Sequence, residues 1–371
     1  RSHSLNKTRT SYRHSLIMHT IFTLFWADTL NMRRWFASKT VSRLIVSMLF
    51  LIVFSGIAAG LFGASRLFFT NLASFETYGQ LTASYVIHAA LIVILWLAIS
   101  SSVVASGSVI LSLNPSLSLL LTLPIHQRVI TSWVFLKTVL ANLTLMLFVF
   151  LPITLAYAQA FQLISLGFLI STAAVISCVV ILSASIGMPI ALLLVHWLRG
   201  KEYIGGLLGL AVFFIGMVSL IKLIFPPGMS ALHRVTGAAF MQQFSSLPLN
   251  HQLLPTYWFA QTLTAGFQAP TLLAIAGVVL ITWLSLRLQS RRFVATLLAE
   301  QSRPNTTIPA AIWKKILLHT RQPLVIKDWL SLMRSPSELG YGIFLVTIAS
   351  FFFLFLSLAT KGAYLRPAWQ I

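Results

Sequence analysis

Long stretches without a charged side chain constrain this chain more than any other feature. No Asp, Glu, Lys or Arg occurs from Thr77 to Gln127, and none occurs from Thr138 to Leu198. A helix needs about 20 apolar residues to cross the hydrocarbon core of a membrane, so windows of this length hold one or two spans each. The apolar runs are continuous and do not alternate, which favours a helical bundle over a membrane β-barrel.

These windows predict an all-α integral membrane protein, a polytopic helix bundle with about seven transmembrane helices plus interfacial amphipathic helices. The predicted spans are 44–65, 85–111, 134–158, 166–197, 203–221, 270–286 and 339–360.

The first six spans form a transmembrane domain at 44–286, and two basic segments flank it. Residues 1–43 are a basic leader that ends in an interfacial elbow helix, and residues 287–338 are a cytoplasmic linker with a second elbow helix. Residues 339–371 hold the seventh span and the start of a truncated second half. Because the chain begins with Arg1 and ends shortly after the seventh span, we expect it to be a fragment.

The charges indicate an orientation. The chain is 57% hydrophobic and 9% charged, which excludes an ordinary soluble enzyme, and 26 Lys and Arg stand against 6 Asp and Glu. An N-terminus on the inside places 21 of those 26 residues on inner segments and 5 on outer ones. Since cytoplasmic loops collect Lys and Arg, this predicts a multi-pass membrane protein with a cytoplasmic N-terminus. The net charge of +20 then requires no nucleic-acid partner.

The common motifs of catalysis and of metal or nucleotide binding do not occur. The sequence has no GxxxxGKS/T, CxxC, HExxH or GxSxG pattern. We therefore predict no catalytic residue, metal or cofactor, and no enzymatic activity. His88 lies in the second predicted span, where a hydrogen-bonded neutral histidine is the commoner case and a functional one the alternative. Gly56-x-x-x-Gly60 with Gly63 is either a close helix-packing face or a chance pattern.

The first inner loop is too apolar to be a solvated connection. A helix that begins near Asn114-Pro115 and breaks near Pro124 would present leucines, among them Leu120 and Leu121, towards the cytoplasm. Such leucines either sink into the membrane or dock on a partner, and a plain connecting turn is the alternative.

The segment before the last predicted span has helical spacing of its apolar residues. Its elbow residues are Lys327, Asp328, Trp329, Arg334 and Pro336. One face would lie on the bilayer while the basic side chains reach lipid headgroups, and Pro336 would end the helix. An inert surface helix is the alternative. Asp28 and Arg34 precede the first span as Asp328 and Arg334 precede the seventh, which favours an internal repeat.

Three segments resemble the permease subunit of ABC-2-type ABC transporters, the bacterial type with two halves. Ser116-Leu-Ser-Leu-Leu-Leu-Thr-Leu-Pro-Ile-His-Gln-Arg128, followed by Lys137, is similar to the family's "LLLSLPVSRR…K" segment. Lys327-Asp-Trp-Leu-Ser-Leu-Met-Arg-Ser-Pro336 is similar to its "KDLLLLLRDP" elbow, and Leu254-Pro-Thr-Tyr-Trp-Phe-Ala260 to its "LPSGWLA" segment.

The resemblance implies a cytoplasmic coupling segment that contacts an ATPase. Its residues would be Asn114, Pro115, Leu120, Leu121, Pro124 and Arg128. The function it implies is that of a transmembrane permease of the bacterial inner membrane, an exporter, powered by ATP hydrolysis on a separate ATP-binding cassette subunit. The further expected partners are the lipid bilayer and a second permease copy or half. An ion-coupled secondary carrier, or another multi-pass protein without an ATPase partner, is the alternative.

Overall fold

The computed structural model describes residues 41–74, 76–111, 127–197, 216, 254–266 and 269–301. These residues are nearly all helical. The elements are α1 (Val41–Ala73), α2 (Glu76–Leu111), α3 (Gln127–Leu145), a π-helix (Met146–Phe150), α4 (Leu151–Ala160), α5 (Leu166–Trp197), α6 (Pro255–Ala265) and α7 (Ala269–Gln301).

Five helices in the described part are long and apolar enough to cross a membrane. They are Leu51–Ala73, Thr82–Gly107, Gln127–Ala160, Leu166–Leu194 and Thr271–Ser290. The prediction of a helical membrane protein is confirmed at this level. The predicted number of seven is not, since the spans at 203–221 and 339–360 lie outside the described residues.

Several helices extend beyond the windows that the charges delimit. α1 continues past Arg66 to Ala73, although the predicted span ends at residue 65, and α7 continues past Arg287 to Gln301. An arginine side chain is long enough to keep its charged group in water while its stem lies along apolar surface. A charged side chain therefore ends neither the helix that carries it nor the candidate span, since Leu51–Ala73 includes Arg66 and Thr271–Ser290 includes Arg287.

The π-helix lies inside one continuous span and changes the neighbours of that span. Pro152, two residues after it, has no N–H group to donate, and its ring would clash with the preceding turn of a regular α-helix. Before the π-helix, α3 packs against α2, α5 and α7; after it, α4 packs chiefly against α1. The widened turn thus redirects the second half of the span towards a different helix.

The contacts fix the direction of each helix. α1 and the α3–α4 span run one way, while α2, α5 and α7 run the other way. The end of the bundle where α3 begins and α2, α5 and α7 end is called the basic end. α2, α4 and α5 supply most of the buried apolar core, while α1 and α7 lie at the periphery with long exposed apolar faces.

Candidate functional site

The centre of the bundle contains a polar node of three fully buried side chains from three helices. The amide nitrogen of Asn142 on α3 donates to Ser102 Oγ on α2, and to Ser183 Oγ on α5 at 2.9 Å. Each serine hydroxyl in turn donates to a carbonyl of its own helix. Hydrogen bonds between polar side chains are a usual means of holding membrane helices in register, so the node fixes α2, α3 and α5 relative to one another.

Close backbone approach surrounds this node. A Cβ atom on Gly187 of α5 would come within 2.3 Å of Ser102 Cβ and 2.9 Å of the Ile99 carbonyl oxygen. No side chain fits between backbones at that distance, so only glycine allows α2 and α5 to cross here.

A second set of polar contacts continues from the node to α7. Ser185 Oγ and Thr282 Oγ1 are 2.9 Å apart, and Ser285 Oγ donates to the Ser185 carbonyl oxygen at 2.8 Å. Gln289 Nε2 donates to Ser285 Oγ. We call the node and these residues together the polar seam. It connects α2, α3, α5 and α7 through neutral groups.

Two acceptors of the polar seam lack a partner among the described residues. They are Asn142 Oδ1 and Gln289 Oε1, both inaccessible to solvent. A buried carbonyl oxygen without a hydrogen bond is costly, so each atom favours a rearrangement or a bound group that would donate to it. The described residues contain no group of three His, Cys, Asp or Glu side chains able to hold a metal ion. The seam consists of neutral hydroxyl and amide groups, which can pair with neutral donors.

His88 lies near the opposite end, where it connects α2 to the short helix α6. Its Nε2 atom is 3.1 Å from Thr256 Oγ1, its side chain is buried, and the Tyr257 ring lies against it with the centroids 6.0 Å apart. Thr262 Oγ1 and Thr271 Oγ1, 2.9 Å apart, join α6 to α7. The interpretation of His88 as a hydrogen-bonded histidine of the bundle is confirmed.

Two cations at the basic end lie over tryptophan rings. Lys137 Nζ is 3.7 Å from the ring centroid of Trp133 on α3, and the Arg287 guanidinium carbon is 5.0 Å from that of Trp283 on α7. Each pair is spaced by four residues, which places the two side chains on one helix face. The amino-acid composition does not predict these two contacts. A sequence signal does exist, because each cation follows a tryptophan by four residues near the end of a span.

Most of the predicted site residues lie outside the described residues. Among those of the coupling segment, only Arg128 is described; it is exposed, in the first turn of α3. All five elbow residues, Lys327, Asp328, Trp329, Arg334 and Pro336, lie outside. Their role as an elbow stays a prediction, as does the inside–outside orientation.

Gly56 and Gly63 on α1 make no close approach to another described residue, so the choice between a packing face and a chance pattern stays open. A Cβ atom added to Gly56 or Gly63 would meet nothing within 4 Å. Gly187, which the sequence pattern does not single out, makes the close approach instead.

Comparison with known proteins identifies the family. Residues 36–361 match the model of the ABC_tran_2 family, described as "Putative ATP-binding cassette". Since the match spans most of the chain, the chain belongs to this family. No curated protein and no solved structure matches it.

This finding corrects several expectations from the sequence. The resemblance to an ABC-2 permease family is wrong, because the family that matches is an ATP-binding cassette family. The expected permease function, the absence of enzymatic activity and the separate ATP-binding subunit are wrong with it, since the match points to an ATP-hydrolysing protein. The absence of a GxxxxGKS/T pattern does not place ATP hydrolysis on another chain, and three short apolar motifs do not determine the family. The assignment to ABC transporters in general is supported.

Proposed function

We propose that this chain is a membrane-embedded ATP-binding cassette protein whose helical bundle responds to nucleotide bound by the same chain. The observation that carries the proposal is the extent of the family match. Residues 36–361 include all five candidate spans, from Leu51–Ala73 to Thr271–Ser290. The cassette family and the membrane helices thus occupy the same part of the chain and are not successive domains.

The polar seam supports a bundle with more than one arrangement. Its hydroxyl groups each have two lone pairs and one proton, so they can exchange partners as helices shift. Asn142 Oδ1 and Gln289 Oε1 would each gain a hydrogen bond from such an exchange. Packed cores change between discrete arrangements, and a ligand can select one of them only by binding it more tightly. Nucleotide that binds one arrangement of the bundle more tightly than the other would shift the equilibrium towards it.

Photoaffinity labelling tests nucleotide binding directly. The purified chain in lipid nanodiscs should be labelled by 8-azido-ATP in a saturable manner, and unlabelled ATP should compete. The sequence contains no GxxxxGKS/T motif, so other residues would have to contact the nucleotide. Peptide mapping of the labelled product would show which residues these are. Labelling that is absent, or that excess ATP does not reduce, would contradict the proposal.

The single cysteine reports the response of the bundle. Cys178 is buried in α5, five residues from Ser183, and the sequence contains no other cysteine. Its rate of reaction with a membrane-permeant maleimide should change when ATP is added, and AMP at the same concentration is the control. If the chain binds ATP but the reaction rate of Cys178 does not change, the chain binds nucleotide as proposed. The proposed rearrangement of the bundle on nucleotide binding would then be wrong.

A further inference from the structure

We propose that Lys137 and Arg287 form a binding site for the phosphate groups of anionic lipids at the basic end of the bundle. The first observation is their similar depth. Asn142 is bonded to Ser183, and Ser185, two residues on, is bonded to Thr282 and Ser285. These contacts align α3 with α7, which run in opposite directions and pack against each other.

From this alignment the depth of each cation follows by counting residues. Lys137 precedes Asn142 by five positions, and Arg287 follows Thr282 by five. At 1.5 Å per residue, the Cα atom of Lys137 lies about 7 Å from the polar node, and that of Arg287 lies about 10 Å from it, because Ser185 is itself two residues nearer the basic end than Ser183. Lys137 and Arg287 therefore lie within about one helical turn of each other in depth, on two neighbouring helices.

That depth coincides with a membrane boundary. Tyr157, in the same continuous span as Lys137, lies twenty residues beyond it and packs on Phe69 and Phe161. Twenty residues span about 30 Å, which is the thickness of the hydrocarbon core. The aromatic cluster then marks one boundary of the membrane and the two cations mark the other.

The surroundings of the cations suit a phospholipid. Leu280, Leu284 and Leu288 line the exposed face of α7 beside Arg287, where acyl chains would contact them. The tryptophan beneath each cation holds the charged group at the interface through a cation–π contact. Lipid phosphates lie at this depth, so phosphate oxygens of anionic lipids can meet each of the two side chains.

The same chain supplies matched controls. Arg128 on α3 and Arg292 on α7 are exposed cations at the same basic end, but they lie nine and five residues further from the polar node than Lys137 and Arg287 do. By the same count both stand in water beyond the headgroups. Removing them takes away the same charge from the same two helices.

The test is lipid binding to the full chain in zwitterionic detergent. Phosphatidylglycerol should raise the melting temperature and phosphatidylcholine should not. The double variant K137Q/R287Q should bind phosphatidylglycerol about 25-fold more weakly, roughly fivefold for each charge lost, while R128Q/R292Q should bind it as the original chain does. Equal weakening in both double variants, or none in the first, would overturn the proposal.

Two further arms separate the alternatives. If inorganic phosphate or ATP protects the chain as well as phosphatidylglycerol does, and K137Q/R287Q abolishes that protection, the site binds free phosphate groups and the lipid assignment is wrong. Nitroxide labels at Leu280 and Leu288, in a Cys178→Ala background, test the depth itself. Oxygen should collide more often with the label at 280, and a polar nickel reagent with the label at 288; the same accessibility at both positions would refute the boundary.

Discussion

The two halves of the span from Gln127 to Ala160 are held in different ways. The α3 half is joined to its neighbours by directional polar bonds, centred on Asn142. The α4 half is held by aromatic packing on α1, where the ring centroids of Tyr157 and Phe69 are 5.5 Å apart, and the π-helix itself contacts α1 through Phe148 and Phe54, 5.4 Å apart. The π-helix separates the two.

The difference teaches what each kind of contact contributes in a membrane. Lipid tails are as apolar as leucine, so membrane helices gain little hydrophobic free energy from contact with each other. Their association therefore depends on van der Waals packing and hydrogen bonds. Aromatic rings supply large contact areas that tolerate small rotations. Polar bonds supply less energy but require one register. We therefore expect the largest stability losses in the α4 half and the strictest positioning in the α3 half.

The largest effect should follow from truncation in the aromatic half. Phe69→Ala should lower the free energy of unfolding by about 3 kcal/mol, because it leaves a cavity against Tyr157 where the wild-type ring is fully buried. Thermal unfolding in detergent measures it. Leu67→Ala, at a position that is 71% exposed on the same helix, is the control and should change little. Equal losses in both variants would mean that the α4 half is not packed as described.

A smaller loss should follow when the backbone approach of α2 and α5 is blocked. Gly187→Ala should cost about 2 kcal/mol, since its Cβ atom would force the two helices apart at Ser102. Gly277→Ala on α7 meets nothing within 4 Å and should be neutral or stabilise the chain slightly through helix propensity. The two variants should therefore shift the melting temperature in opposite directions; a shared direction would refute the close crossing.

The smallest effect should come from the polar node. Asn142→Leu keeps the branching at Cγ and removes two interhelical hydrogen bonds, so it should cost about 1 kcal/mol in detergent. Thr144→Val, on the exposed side of α3, removes only a bond to its own helix and is the control. If Asn142→Leu raised the melting temperature, the unpaired Oδ1 atom would outweigh the two bonds, and the node would be retained for positioning and not for stability.

The sequence predicts the membrane helices well because charge and hydropathy act locally. The charge-free windows locate five helices that the structure describes, and the polar residues from Gln159 to Ser165 coincide with the turn between α4 and α5. The helix ends are predicted less well, since Arg66 lies inside a helix.

The pairing of polar residues could not be predicted. Ser102, Asn142 and Ser183 are about forty positions apart in turn, and many other serines in the spans have the same local context. Only the packing of three helices brings these together. The π-helix has little sequence signal of its own, because Met146–Phe150 is a plain apolar run and only Pro152, two residues later, indicates an irregular turn. The family was assigned wrongly for a related reason: short apolar motifs recur in unrelated membrane helices.

Because of the π-helix, the number of residues between the two halves of the span determines which neighbours the second half faces. A π-helical turn contains one residue more than an α-helical turn. Deleting one residue from Met146–Phe150 would let the turn close into a regular helix and leave the residues after it on nearly the same face, whereas deleting one residue between Asn142 and Tyr157 outside the π-helix would rotate the two halves of the span relative to each other by about 100°. Tyr157 would then leave Phe69 and face another neighbour. Over the course of evolution, the number of residues between Asn142 and Tyr157 should therefore change less readily than the residues themselves.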